Sequence, residues 1–351
     1  MIVHFFEPPP SQTTGGLNLA IQSLKKFLEK SGIDVRSGSR IKELNISSSA
    51  QQLAHFHGLW QPRALQISAY CRSRHVPYVV SPHGMLEPWA WKHKRWKKWP
   101  YFQFFEKRHL AGARRLVATS DAEANNLRAL LPSSRCAVVP LGLTTASKEP
   151  DYRSARKALG WSDSERIIIF LSRIHPKKGL HLLLGALAGM TPELIQSARL
   201  VIVGGGEHAY VRKLKRFHAH NRSRLPRIDW IGEVWTDQKW MYLQGADLFC
   251  LPSYSENFGL AVLEALQVGT RVLTTTQTPW AAISSWNAGY VVEPAESAVS
   301  AALAEDFKTS QQWSLKERAS LAEKIHKQFS WDSIGSRYLR LYEDVVKDGN
   351  S

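Results

Sequence analysis

Ten short apolar runs, most of them followed by a segment of helical period, constrain this chain more than any other feature. Strands are expected at Ile2–Phe6, Leu53–His57, Val76–Ser81, Arg115–Thr119 and Cys136–Pro140. They are expected again at Arg166–Leu171, Arg199–Val203, Arg227–Ile231, Asp247–Leu251 and Arg271–Thr275. Helical patterns fall at Leu17–Lys30, Pro62–Arg74, Tyr101–Leu110 and Ala122–Leu131, then at Gly179–Ala188, Tyr210–His220, Asp237–Leu243 and Gly259–Gln267. Strands that alternate with helices pair in parallel, because each crossover returns the chain to the same end of the sheet. The expected class is therefore α/β, with two doubly wound, Rossmann-like domains facing a cleft. The 351 residues suit two such domains. Leu141–Arg153, rich in Thr, Ser, Gly and Pro, reads as the linker. The expected boundaries are 1–145 and 146–330, with a last helix, 331–351, crossing back to the first domain.

Charge is unevenly spread. Residues 1–145 carry 20 Lys/Arg against 8 Asp/Glu, and residues 146–351 carry 26 against 22. A basic half joined to a nearly balanced one suggests that only the first meets an anionic partner. Cys71, Cys136 and Cys250 have neither disulfide nor metal spacing, so a reducing cytoplasm is the expected compartment. No stretch approaches the length of a membrane-spanning helix, and the first residues read as a strand rather than a signal peptide.

The chemistry concentrates at Ser255–Glu264, between the expected strand Asp247–Leu251 and the helix opened by Gly259. Eight positions along one helix would set Glu256 and Glu264 about 80° apart. With Glu256 in the loop, both carboxylates can instead face one crevice at the carboxyl end of a parallel strand, where open α/β sheets bind ligands. Carboxylates suit sugar and ribose hydroxyls, and the backbone N–H groups of Asn257, Phe258, Gly259 and Leu260 suit an anion. A second loop, Ser172–Gly179, follows the first strand of its half. Its Arg173 offers forked hydrogen bonds to phosphate oxygens and its Lys178 a compact charge, enough to neutralise a diphosphate leaving group without a metal. Alone it would read as a solvated basic loop. There is no firm metal-ligand spacing and no D-x-D motif, so neither a metal nor a cofactor is expected beyond a nucleotide-diphosphate sugar as co-substrate.

Together these segments resemble glycosyltransferase family 4, retaining enzymes of the GT-B fold, and the resemblance spans nearly the whole chain. Thr13–Asn18 resembles the family's glycine loop and Ser81–Leu86 its His-Gly segment; Thr278-Pro279-Trp280 is similar to members acting on bacterial polysaccharides and lipopolysaccharides. The resemblance implies that Glu264 binds the ribose and that Glu256 meets the donor sugar, with the Asn257–Leu260 amides on sugar and phosphate. It implies that Arg173 and Lys178 hold the diphosphate, helped by Gly15 and Gly16, and that His83 sits beside the reacting carbon. Gly205, Glu207 and the stretch from Ile231 to Val234 would lie by the nucleotide base. Read without the family, Gly15-Gly16 is a helix-start turn, Gly204–Gly206 a tight strand exit, and His55 a satisfied histidine turned away from His57.

The segment Trp89–Phe102 interleaves aromatic and basic residues: Trp89, Lys94, Arg95, Trp96, Lys97 and Lys98. It suits an anionic inner-leaflet membrane surface, or the phosphates of a lipid-linked glycan acceptor, with His57 lining the acceptor side. The bland alternative packs its tryptophans inward and leaves the lysines solvated. A basic nucleic-acid-binding protein is the rival from another class, but the Glu256/Glu264 junction has no place on a phosphate backbone, so no nucleic acid is expected. A non-catalytic nucleotide-sugar-binding protein, or an epimerase, would share the fold. The expected function is sugar transfer to a glycan or lipid-linked glycan, in surface polysaccharide or lipopolysaccharide synthesis at the inner face of the membrane.

Overall fold

The computed structural model describes residues 1–8, 15–38, 51–92, 95–143, 151–234, 238–309 and 313–348. The chain divides into two compact units, Met1–Thr144 with Gln328–Ser351, and Thr145–Lys327.

The first unit is a six-stranded, all-parallel sheet of β1 (Ile2–Phe6), β2 (Asp34–Ser37), β3 (Gln52–His57), β4 (Tyr78–Ser81), β5 (Arg115–Ala118) and β6 (Cys136–Val138), in the order β2-β1-β3-β4-β5-β6. Side chains alternate across it with period two. Val3, Phe5, Leu53, Val79 and Val117 enter one apolar layer, and Phe6, Ala54, Phe56, Val80 and Leu116 the other. Each fully buried Val, Leu or Phe side chain contributes about 1.5–3 kcal/mol. The first layer is closed by the helices Gly15–Lys30 and Trp331–Lys347, whose Ile334, Tyr338, Tyr342 and Val345 are buried in it. Gly335 lets the two helices approach, since a Cβ there would overlap the Phe27 ring.

The second unit repeats the plan with β7 (Arg166–Leu171), β8 (Ala198–Val203), β9 (Arg227–Gly232), β10 (Leu248–Leu251), β11 (Arg271–Thr275) and β12 (Gly289–Val292), in the order β12-β11-β10-β7-β8-β9, again all parallel. Two strands were not expected from the sequence, β2 and β12. Both are four residues long and lie at sheet edges, with no fully buried residue; Asp34–Ser37 is mostly polar, whereas Tyr290–Val292 is an apolar run too short to stand out.

In both units the strand order reverses once. The first sheet grows from β1 to β2 on one side and to β3 on the other; the second grows from β7 to β8 and to β10. Sheets of this kind bind ligands at the carboxyl ends of the strand pairs where the order reverses.

Candidate active site

In the second unit the reversal point lies at the exits of β7 and β10, and two expected residues meet there. Lys178 Nζ stands 2.6 Å from Glu256 Oε1. Ser253 Oγ donates to the same oxygen at 2.7 Å, and the Glu256 side chain is only 8% exposed. The two loops touch through their backbones. Gly179 holds φ +71°, and a Cβ there would overlap the Pro252 carbonyl oxygen. The Tyr254 N–H donates to the Lys177 carbonyl at 2.8 Å. Below them His181 bridges two phenols, with Nε2 3.1 Å from Tyr254 Oη and Nδ1 3.0 Å from Tyr210 Oη.

Glu264 lies one turn into the helix Leu260–Gln267, its side chain 7% exposed, with Lys239 Nζ 2.7 Å from its Oε1. No side chain caps the start of that helix, and Gly259 precedes it at φ +79° and ψ +58°, the left-handed region that costs a side-chain-bearing residue about 1–2 kcal/mol. Trp280 holds this turn from below, its indole N–H donating to the Phe258 carbonyl at 2.5 Å.

The remaining expected donor residues sit at neighbouring strand exits. Arg173 follows β7, is exposed, and has no acidic partner among the described residues. Gly205 and Glu207 follow β8, while Ile231 and Val234 lie at the end of β9. Backbone bonds zip these exits together: Ile174 N–H to the Gly205 carbonyl at 2.6 Å, and Gly204 N–H to the Gly232 carbonyl at 2.7 Å. Gly205 is also where a Cβ would overlap the Glu233 carboxylate.

In the first unit Gly15 and Gly16 open the helix after β1, at the reversal point of that sheet. His57 ends β3, and His83 follows β4 at φ +52°. Their rings stack with 5.3 Å between centroids, and His57 Nδ1 lies 3.0 Å from His83 Nε2. One ring must donate and the other accept, which two neutral imidazoles do and two imidazoliums cannot. Burial holds them neutral. It pushes His83 down to about 4 and His57 well below its ordinary range, with the His55 and His83 charges adding to the shift of His57. His57 Nε2 and His83 Nδ1 are buried with no hydrogen-bond partner among the described residues. The unusual backbone at His83 is anchored by Glu123, which accepts the Gly84 N–H at 2.6 Å and the Thr119 N–H at 2.7 Å.

His55 does not turn away from His57. Residues two apart on a strand share a face, and these rings lie 3.9 Å apart between centroids. His55 is satisfied as expected, by Tyr342 Oη at 2.7 Å and Ser81 Oγ at 2.8 Å.

The aromatic-basic segment forms the helices Pro88–Lys92 and Arg95–Tyr101, then the π-helical turn Phe102–Glu106 and the helix Lys107–Ala111. Lys94 lies outside the described residues; Arg95 and Lys97 fall within the second helix. The tryptophans divide. Trp91 packs on Trp60 and Phe102, while Trp89, Trp96 and Trp99 are 41%, 74% and 44% exposed. Phe104 and Phe105 join them at 76% and 54%. Lys98 Nζ sits 5.9 Å from the centre of the Trp60 ring. Lys239, Ser253, Glu123, Phe104 and Phe105 were not singled out from the sequence. Lys239 and Glu123 act on partners distant along the chain, and the extra residue of the π turn displaces the two phenylalanines from helical phase.

Two doubly wound units, one with paired carboxylates and lysines at its reversal point, define a GT-B class of protein. The profile of Glycosyl transferases group 1 matches residues 151–328, and that of the Glycosyl transferase 4-like domain matches residues 40–142. The chain belongs to the group 1 glycosyl transferases. It is 28% identical over 241 residues to a phosphatidyl-myo-inositol mannosyltransferase of Mycobacterium leprae, covering 67% of this chain and 60% of that protein. The chain spans less than two thirds of the length of the curated relatives it matches. Among solved structures, the sucrose-phosphate synthase of Thermosynechococcus elongatus superposes with a TM-score of 0.77 at 18% identity, over 99% of each chain. Anabaena HepE, solved with UDP and glucose, gives 0.70 at 16% identity, over 98% of this chain and 100% of that one.

Proposed function

We propose that the chain is a retaining, metal-independent glycosyltransferase. It would move a sugar from a nucleotide-diphosphate donor to a glycan or lipid-linked glycan acceptor, in surface polysaccharide or lipopolysaccharide synthesis on the cytoplasmic side of a membrane. The observation that carries this reading is the Lys178–Glu256 pair across the reversal point of a group 1 domain, 2.6 Å apart and mostly buried. A bare carboxylate there would repel a diphosphate; with Lys178 on one oxygen, Glu256 can hold sugar hydroxyls beside one. That a structural neighbour was solved with UDP supports a nucleotide donor.

Each residue then has a task. Glu264 would take the ribose hydroxyls, and Gly205, Glu207 and Ile231 to Val234 would flank the base. Arg173, Lys178 and the uncapped start of the helix Leu260–Gln267 would meet the diphosphate as the bond from the sugar carbon breaks and negative charge develops on the leaving oxygen. The acceptor hydroxyl would approach on that same face, forming its bond to the sugar carbon and passing its proton to the departing phosphate. His83 would orient the sugar through its backbone carbonyl, since its ring is engaged by His57 and its pKa of about 4 makes it a poor proton acceptor. The acceptor side would draw on His57 and the exposed Trp89, Trp96 and Trp99, whose rings with Lys98 suit the headgroup layer of a membrane. Among the described residues no helix is long and apolar enough to cross a membrane.

Turnover tests the reading directly. Incubated with uridine-, guanosine- and adenosine-diphosphate sugars, the protein should release one nucleoside diphosphate, and proton NMR of the product should show the anomeric configuration of the donor. Inverted product would overturn the retaining mechanism. Full turnover in Lys178→Ala protein would overturn the assigned site.

A further inference from the structure

The near balance of charge in residues 146–351 conceals one concentrated basic face. Residues 208–227 contain seven Lys/Arg and no Asp or Glu, while the remainder of that half carries 19 basic against 22 acidic residues. These seven fall on the helix His208–His220, the turn Arg222–Arg224 and the first residue of β9. Arg212, Lys213, Lys215, Arg216, Arg222 and Arg224 are all exposed, and Leu214 is the helix's one buried residue. Arg227 pairs with Asp229, but no carboxylate among the described residues pairs with the other six.

Folding gains little from this arrangement beyond Lys215, whose Nζ lies 5.4 Å from the centre of the Trp230 ring. Arg212 and Arg216 are four residues apart, and Arg212/Lys215 and Lys213/Arg216 three, so like charges stack along the helix and each such pair opposes it. Surface helices ordinarily mix signs; Leu315–Phe329 in the same unit interleaves Glu317 and Glu323 with its lysines. Among these cations stands Phe217, 38% exposed. A soluble polyanion would explain the charges but leave the phenyl ring in water. An anionic bilayer surface takes both, with cations at the phosphates and the ring among the headgroups.

We infer that the exposed face of residues 208–224 is a docking surface for anionic lipid, on the second unit and distinct from the tryptophan-rich segment of the first. It goes beyond the proposed transfer reaction and does not rest on it.

Hydrogen exchange on the full chain tests this face locally. Vesicles of phosphatidylcholine with about 30 mol% phosphatidylglycerol should slow exchange across 208–224, and pure phosphatidylcholine vesicles should not. The Lys213→Gln/Arg216→Gln/Arg222→Gln variant should bind the anionic vesicles about 100-fold more weakly, and the Arg212→Lys/Arg216→Lys/Arg222→Lys variant should bind like wild type. Unchanged exchange elsewhere establishes that each variant is folded. Vesicle binding with protection confined to residues 88–106 would overturn the inference, as would no vesicle binding at all. Protection of 208–224 by dextran sulfate but not by vesicles would overturn it in favour of a soluble polyanion. None of these results touches the transfer reaction, because no residue of the nucleotide crevice is altered.

Discussion

At the scale of single residues, the second unit manages charge by pairing. Glu256 and Glu264 are both mostly buried, and each carries a lysine on its Oε1, Lys178 at 2.6 Å and Lys239 at 2.7 Å. Removing one partner of such a pair leaves an uncompensated buried charge, typically about 3–5 kcal/mol. Lys178→Ala should therefore abolish transfer and lower unfolding stability by roughly 3 kcal/mol. Lys178→Ala/Glu256→Gln should regain most of the stability and none of the turnover, because the neutral amide no longer needs a counter-ion but the diphosphate still does. Urea unfolding of the two single variants and the double, set beside their turnover, closes that cycle. Regained turnover in the double variant would mean that Lys178 serves only to neutralise Glu256. The two glutamates and Lys178 were legible in the sequence because each sits at a marked strand-loop-helix junction. Lys239 was not: it meets Glu264 from 25 positions away, on another helix.

At the scale of elements, glycines set how closely the loops approach. Gly179 and Gly259 both hold left-handed backbones, but their surroundings differ. A Cβ on Gly179 would overlap the Pro252 carbonyl and push the β7 and β10 exits apart, whereas one on Gly259 would stand 3.2 Å from Trp280 Nε1, a ring that can yield by a few tenths of an ångström. Gly179→Ala should thus cost more stability than Gly259→Ala, for which about 1–2 kcal/mol of backbone strain is the main expense. The order should be readable from denaturation midpoints, and the reverse order would mean that the two loops are not held backbone to backbone. The buried strands were legible from their apolar runs, several to the residue, as at Ile2–Phe6, Arg166–Leu171 and Arg271–Thr275. The edge strands Asp34–Ser37 and Gly289–Val292 were not: the first is mostly polar, and the second holds only three apolar residues, Tyr290 to Val292. The turn Phe102–Glu106 escaped for a different reason: its π geometry breaks the period by which helical faces are read.

At the scale of the whole molecule, buried histidines divide the two units. His4, His55, His57, His83 and His109 all lie in the first unit, and burial lowers every one, His83 to about 4 and His109 to about 3. An unfolded chain protonates them near 6.5, so between pH 6.5 and 4 it binds more protons than the native unit does, and acid favours unfolding there. Glu106, raised by burial to about 7, works oppositely, since the native unit keeps its proton and loses stability as pH rises toward 7. Five histidines outweigh one carboxyl, so the first unit should lose stability as pH falls below 6.5, ahead of the second. Hydrogen exchange followed at stepwise pH would show this; simultaneous loss in both units would contradict it. The central claim is that the second unit binds a nucleotide sugar between β7 and β10, and a thermal-shift titration of UDP, GDP and ADP into wild-type and Glu264→Ala protein tests it most directly. A ligand at 100 times its Kd adds about 2.7 kcal/mol, enough to move a midpoint by a few degrees. One nucleoside diphosphate should stabilise the wild type and fail to stabilise the variant. Equal stabilisation of both proteins, or of neither by any nucleotide, would contradict the claim.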